Sequence, residues 1–191
     1  MSKLYTRRGD KKMTSNLDGS RMRKDSDLIE IIGILDELNS SLGMVRSISE
    51  IDSISRVIEK VQSCLFALGV QLFSQGAARV EDEGPSDIDV GWVEDQVDGF
   101  GAGLPKLKNF VLPGGSELAA RLHVSRSIAR RLERSVIGLS ENNGVEESVL
   151  AYLNRLSDLL FMLALFANHE VGISEIPWKK GKRRRRMPRK R

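Results

Sequence analysis

Apolar residues recur at helical spacing in five separate stretches of this chain. From Asp27 onward Leu28, Ile31, Ile32, Leu35, Leu38 and Leu42 follow the i, i+3, i+4, i+7 pattern, with Ser26 or Asp27 placed to cap the helix. A second helix is predicted from about Ile51 to Gln75, carried by Ile54, Val57, Ile58, Val61, Leu65, Leu68 and Leu72. The run Glu81-Asp82-Glu83-Gly84-Pro85 breaks the chain, after which Ser86 is expected to cap a shorter third helix holding Ile88, Trp92, Val93 and Val97. Residues 99–115 form a Gly/Pro-containing connection that ends in Phe110-Val111-Leu112-Pro113-Gly114-Gly115. Ser116 then caps a fourth helix, and Asn142-Asn143-Gly144 stops it. A fifth spans about Val145 to Glu170, with Val149, Tyr152, Leu153, Leu156, Leu160, Leu163 and Ala167 as its stripe. No convincing alternating strand and no internal repeat occur. Five helices joined by short links predict an all-α fold, a five-helix antiparallel bundle.

The ends differ from the middle. Residues 1–26 are polar and basic without hydrophobic periodicity, so they read as a loop-rich arm with room for a short strand at Leu4–Thr6. Residues 27–172 make the bundle. Residues 173–191 read as a basic tail expected to be disordered. The last thirteen residues hold ten Lys or Arg and no acid, and removing those cations takes the net charge from +4 to −6. The body is therefore acidic. Such a tail can touch nucleic acid, an anionic membrane or an acidic partner, but no aromatic residue lies within it for a base to stack on. At 191 residues the chain suits one domain with a real core. No run of eighteen apolar residues and no N-terminal apolar block are present, so neither a membrane span nor a secretory signal is expected. The single cysteine, Cys64, makes a reducing, cytoplasmic setting the default.

Candidate chemistry centres on the fourth helix. Arg126, Arg130 and Arg134 stand at i, i+4 and i+8, a row of like charges that calls for counter-charges or an anionic ligand. Guanidinium forks match phosphate and carboxylate oxygens. Glu133 is placed to orient Arg130. A solvated charged face is the ordinary alternative, against which the small residues Ser116, Ala119, Ala120, Ser125 and Ala129 permit close approach of a helix or ligand. In the first helix Asp36 and Asn39 lie beside the apolar stripe, and an arginine of the fourth helix is the natural partner for the carboxylate. Asn154 and Asp158 share a face of the fifth helix, where the amide could read a nucleotide or satisfy a neighbouring helix. The loop from Tyr5 to Ser15 places a glycine among hydroxyls and lysines, a weak phosphate-binding signal without Walker or dinucleotide-loop spacing. His123 and His169 belong to no metal-ligand cluster, and His123 reads as a packing residue.

Read in order, these segments resemble the propanediol-utilisation type of ATP:cob(I)alamin adenosyltransferase, also called corrinoid adenosyltransferase. The likeness runs from Leu4 to about Gly172. It rests on Tyr5-Thr6 with Gly9-Asp10-Lys11 and Thr14-Ser15, then Arg21 with Lys24-Asp25, then Gly33 with Asp36-Glu37-Leu38-Asn39-Ser40 and Gly43. Phe110 to Ser116, running into Leu122-His123 and the arginine row, and Tyr152 to Asp158 with Phe161 complete it. The resemblance implies a homotrimer with active sites between subunits. It implies transfer of the 5′-deoxyadenosyl group of ATP to cobalt, with Co(I) as nucleophile and triphosphate as leaving group.

By the same resemblance, Thr6, Gly9, Asp10, Thr14, Ser15 and Lys24 surround the triphosphate, with Mg²⁺ bridging its oxygens rather than held by a protein site. Arg130, Glu133 and Arg134 complete the ATP site, and Asn154 contacts the nucleotide. Arg126 and Asp36 pair across the subunit boundary, making Arg126, Arg130 and Asp36 the catalytic set. Phe110 presses on the lower corrin face and disfavours a lower axial ligand. ATP and cobalamin are the substrates, and a reductase or a cobalamin-dependent acceptor enzyme is a conceivable partner; no membrane is expected, and nucleic acid only through the tail. The chain departs from the family at Arg8, usually Thr, at Lys12, usually Gly, and at Leu165, often Arg. A degenerate ATP- or corrinoid-binding carrier or chaperone without turnover, and a basic-tailed nucleic-acid binder, are the alternatives.

Overall fold

The fold is a computed structural model that describes residues 5, 7, 9–16, 19–74, 88–143 and 145–179. It comprises a two-stranded hairpin, β1 (Met13–Ser15) and β2 (Arg21–Arg23), followed by five helices. These are α1 (Asp27–Ile48), α2 (Asp52–Ser74), α3 (Val90–Gly101), α4 (Glu117–Asn143) and α5 (Glu147–Glu170). The helices pack in the spatial order α2, α1, α4, α5, α3, so α1, α4 and α5 each have helices on two sides. The predicted stripes form the core, with Ile31, Leu38, Leu42, Ile58, Leu65, Leu153 and Leu160 nearly inaccessible to solvent; α4 adds Leu122 and Leu132 to it. Among the described residues α5 is the one helix long and apolar enough, by length and composition, to cross a membrane. Here its apolar surface is consumed by packing against α3 and α4.

Helix starts partly follow the expected caps. Ser116 Oγ accepts the Ala119 N–H at 3.1 Å, as its position before α4 predicts. Ser26 is the N-cap of α1, but its hydroxyl donates back to the Arg23 carbonyl at 3.0 Å. The cap of α3 is Asp89, whose carboxylate accepts the Trp92 N–H at 2.9 Å; this replaces the expected Ser86, which lies outside the described residues. Asp89 wins because it directly precedes the first helical residue, where a carboxylate also meets the positive end of the helix dipole.

Polar contacts pin the helices to one another. Asn39 Nδ2 donates to the Gln62 carbonyl at 3.2 Å, and Gln62 Nε2 donates to the Asn39 carbonyl at 3.0 Å, a reciprocal clamp between α1 and α2. Ser41 and Ser125 hydroxyls meet at 2.7 Å where α1 crosses α4. Both are buried, so small side chains there let the two helices approach closely while each hydroxyl keeps a partner. Lys60 lies 4.1 Å from the Trp92 ring centroid, and Phe100 meets Phe166 edge-on, tying α3 to its neighbours.

The hairpin was not legible as strands, because three-residue segments show no usable alternation. It pairs Met13 with Arg23, Thr14 with Met22 and Ser15 with Arg21. Gly19, at φ 82°, supplies the left-handed residue of its turn, where a side chain would be strained. The strand expected at Leu4–Thr6 falls on residues outside the described set. Neither β1 nor β2 packs substantially against a helix. At the other end the chain does not leave the body after α5. Leu112 N–H donates to the Ile176 carbonyl at 2.9 Å, Trp178 N–H donates to the Phe110 carbonyl at 2.7 Å, and Val111 bridges Pro177. Residues 173–178 thus form a strap across the loop that precedes α4.

Candidate functional site

Arg126 and Arg130 project from α4 into a cleft of about 780 Å³ that also receives Phe110, Ser157, Asp158, Phe161 and Trp178. Both arginines reach it because residues four apart on a helix lie one above the other. Four residues advance a helix about 400°, so each step of the row turns about 40° further round the axis. By Arg134 the row has turned away. That side chain borders a separate groove with Glu37, His123 and Arg131, and its Nη1 donates to the Arg130 carbonyl at 2.9 Å. The three guanidiniums therefore divide between two depressions within this chain.

Arg126 is half-buried, with its guanidinium carbon 5.7 Å from the Phe161 ring centroid. Burial, and then the neighbouring Arg130 cation, lower its pKa from the ordinary arginine value. Its Nε is buried with no hydrogen-bond partner among the described residues. A buried donor left in this state favours any acceptor that can reach it. Arg130 is exposed. At the rim stands Phe110, 83% exposed, an unusual place for a phenylalanine unless something covers it. His123 is buried with neither ring nitrogen hydrogen-bonded among the described residues, and its ring tilts against Phe161 at 5.9 Å. Burial first and Arg126 second push its pKa down, which accords with the packing role expected of it.

Among the described residues of this chain, no acid pairs with Arg126, Arg130 or Arg134. Asp36 is exposed and has no ion pair among the described residues; the adjacent Glu37 takes the α4 arginine instead, pairing with Arg131. The one-residue difference is a 100° rotation about α1, which turns Glu37 and not Asp36 toward α4. Glu133 does not orient Arg130. Its Oε1 accepts from Asn154 Nδ2 at 2.8 Å, while Asn154 Oδ1 accepts from Arg155 at 2.9 Å. Asn154 and Glu133 thus form a polar bridge between α4 and α5, and Arg155 continues it to Glu94 of α3 at 2.8 Å.

The arm brings Lys24 against Gly9, while Thr14 and Ser15 lie along β1 opposite Met22 and Arg21. A Cβ built on Gly9 would meet Lys24 Nζ at 3.0 Å, so the lysine amine lies over the glycine. Lys24 N–H donates to the Lys12 carbonyl at 3.0 Å, and Ser15 Oγ accepts from Arg21 at 3.0 Å. Arg7 and Lys12 adopt φ of 60° and 61°, left-handed conformations flanking the turn. Such a backbone can direct N–H groups inward to make an anion-binding concavity. Lys12 therefore holds the shape that glycine allows, at the strain a side chain brings. Thr6 and Arg8 lie outside the described residues.

Trp178 is a cleft residue that sequence reasoning assigned to the tail. Its signal was an aromatic side chain immediately before a run of cations. Among the described residues no group of three or more His, Cys, Asp or Glu side chains could hold a metal ion.

Three comparisons bear on this geometry. A family model described as Cobalamin adenosyltransferase matches residues 4–167. The chain is 37% identical over 183 residues to a corrinoid adenosyltransferase of Bacillus subtilis, covering 93% of each chain. It is 33% identical over 188 residues to a mouse corrinoid adenosyltransferase, covering 93% of this chain and 78% of that one. Among solved structures it resembles a variant PduO-type ATP:corrinoid adenosyltransferase from Lactobacillus reuteri complexed with cobalamin and ATP. That match has a TM-score of 0.86 at 30% identity, covering 94% of this chain and 98% of the other.

Proposed function

The chain belongs to the cobalamin adenosyltransferase family, and on that premise we propose that its cleft is where the 5′-deoxyadenosyl group of ATP passes to cobalamin. The observation that carries this reading is the juxtaposition of a bare, exposed Phe110 with two arginines, one of them half-buried with an unpartnered Nε. A large flat apolar substrate suits the phenylalanine, and a polyanion suits the guanidiniums.

In the reaction the Co(I) lone pair forms the Co–C5′ bond as the C5′–O bond breaks, and the bonding pair leaves with triphosphate. No protein nucleophile or general base is required. Arg126 and Arg130 neutralise charge that develops on the leaving oxygen, in a setting where a desolvated cation acts more strongly than in water. Glu133 and Asn154, joined to each other, contact the nucleotide, and Arg134 adds a phosphate contact from its separate groove. Phe110 covers the lower corrin face and excludes water and axial ligands from it.

Gly9, Asp10, Thr14, Ser15 and Lys24, with Thr6, hold the triphosphate. The separation of this hairpin from its own helices supports an arm that reaches the cleft of a neighbouring copy in a homotrimer. Charge supports the same arrangement: Asp36 is exposed without an ion pair, and Arg126 lacks a partner at Nε, so each could satisfy the other across a boundary. A Mg²⁺ ion would be held here by the phosphate oxygens of ATP, with Asp10 the acid of the phosphate-binding turn. It would neutralise phosphate charge, and the chain itself would contribute the surrounding donors.

Incubating the protein with ATP and chemically reduced cob(I)alamin should release one triphosphate per adenosylcobalamin formed. Binding of both substrates without triphosphate release would reject the proposal.

A further inference from the structure

On the far side of the loop that carries Phe110 lies a second cavity, of about 540 Å³. It shares Leu107, Lys108, Asn109 and Val111 with the arginine cleft as a common wall. A molecule seated against Phe110 therefore has another recess within reach around the same loop. The recess is largely apolar, with Leu104 and Leu107 on one side and the buried Leu165 of α5 on another. Its charged lining comprises the exposed Lys106 and Lys108 and the Glu175 carboxylate, which is taken up by Asn168. The outer wall is the strap after α5, including Ile173 and Pro177. That wall is held in place by the backbone bonds to residues 110–112 and by Asn168, whose Nδ2 donates to Glu175 Oε1 at 2.8 Å.

Cobalamin is more than its corrin ring. A nucleotide loop hangs from the ring, comprising an anionic phosphodiester, a ribose and a flat dimethylbenzimidazole base. With Phe110 against the lower face of the ring, that base loses its place on cobalt and must lie elsewhere. Exposure of its apolar faces to water is unfavourable, whereas an apolar slot beside the ring removes them from solvent. An ammonium at the rim of the slot complements the phosphodiester. We propose that this cavity receives the nucleotide loop of cobalamin, with the base against Leu165, Leu104 and Leu107 and the phosphodiester at Lys106. It would then discriminate complete cobalamin from corrinoids that lack the loop. This inference rests on the reading of the neighbouring cleft as the adenosylation site.

The test compares cob(I)alamin with cob(I)inamide, which has the ring but no nucleotide loop, both reduced chemically and supplied with ATP. The wild-type protein should show a lower KM for cobalamin. Lys106→Ala should raise the cobalamin KM about tenfold, the effect of losing one charge-assisted contact, and leave kcat and the cobinamide KM unchanged. Leu165→Trp, which fills the slot, should do the same, with retained cobinamide turnover showing that the variant is folded. Should Leu165→Trp fail to fold, the exposed Lys106 variant still decides the matter. Equal KM values for the two corrinoids in the wild type would overturn the assignment. So would an unchanged cobalamin KM in Lys106→Ala, or a parallel rise with cobinamide. If the wild type adenosylates neither corrinoid, the proposed function fails and takes this inference with it; if it adenosylates both alike, the nucleotide-loop site alone is rejected.

Discussion

Asn168 stands where a side chain on Gly115 would have to be. A Cβ at that glycine would overlap the Asn168 carboxamide, and Gly115 itself sits at φ 103°. The carboxamide is buried and fully used: Oδ1 accepts the Ser116 N–H at 2.8 Å, and Nδ2 donates to the Gly114 carbonyl at 3.0 Å and to Glu175. One residue at the end of α5 thus fixes the turn after Phe110, the start of α4 and the strap that follows. Gly115→Ala is expected to destabilise the fold by about 2–4 kcal/mol, from positive φ and overlap together. Chemical denaturation measures this. A loss below about 1 kcal/mol would show that the turn yields easily.

Arg130 is exposed and makes no ion pair among the described residues, so its removal should leave the fold almost untouched. Arg130→Ala is expected to cut adenosylation about 10²-fold or more, the scale for losing a preorganised donor to developing charge. Steady-state kinetics beside a circular dichroism melt separates the two effects. A parallel loss of helicity would assign the residue to structure.

Phe110 presents most of its ring to solvent, so truncation removes little core packing. Phe110→Ala should slow adenosylation when Co(II) must first be reduced at the site, with a smaller defect on pre-reduced Co(I). Equal defects in both assays would count against its action on the lower corrin face.

Lys12 holds a left-handed backbone in which a side chain costs about 1 kcal/mol. Lys12→Gly relieves that strain, and Lys12→Ala keeps it; both remove the charge. The glycine variant should have the lower KM for ATP of the two. Because the hairpin hardly touches the helices, thermal melting should not distinguish them. Identical ATP KM values would mean that the strain does not bear on phosphate binding.

His123 is buried, and its pKa is depressed below the unfolded value of about 6.5. Below that pH the unfolded chain takes up a proton that the folded chain resists, so stability falls as pH drops from about 6.5 toward the folded pKa. The slope from this one group is at most about 1.4 kcal/mol per pH unit. His123→Leu should flatten the urea midpoint between pH 7 and 5. An unchanged acid slope would place its origin elsewhere.

The helices and their inward faces could be read directly from the chain, since a stripe such as Val149, Tyr152, Leu153, Leu156 and Leu160 declares both period and buried side. The ordered motifs from Gly9 to Phe161 likewise carried the family, and with it the chemistry. Which polar groups meet was another matter. Periodicity could not show that Glu37 rather than Asp36 reaches α4, that Asn39 clamps Gln62, or that Glu133 answers Asn154. Nor could it show Arg134 turning into a separate groove, Trp178 folding back beside Phe110, or Asn168 filling the space over Gly115. Hydrophobic spacing is local and repeats along one helix, so the sequence alone determines it. The partner of a polar side chain depends on the rotation and approach of helices distant in the chain, and only their packing decides that.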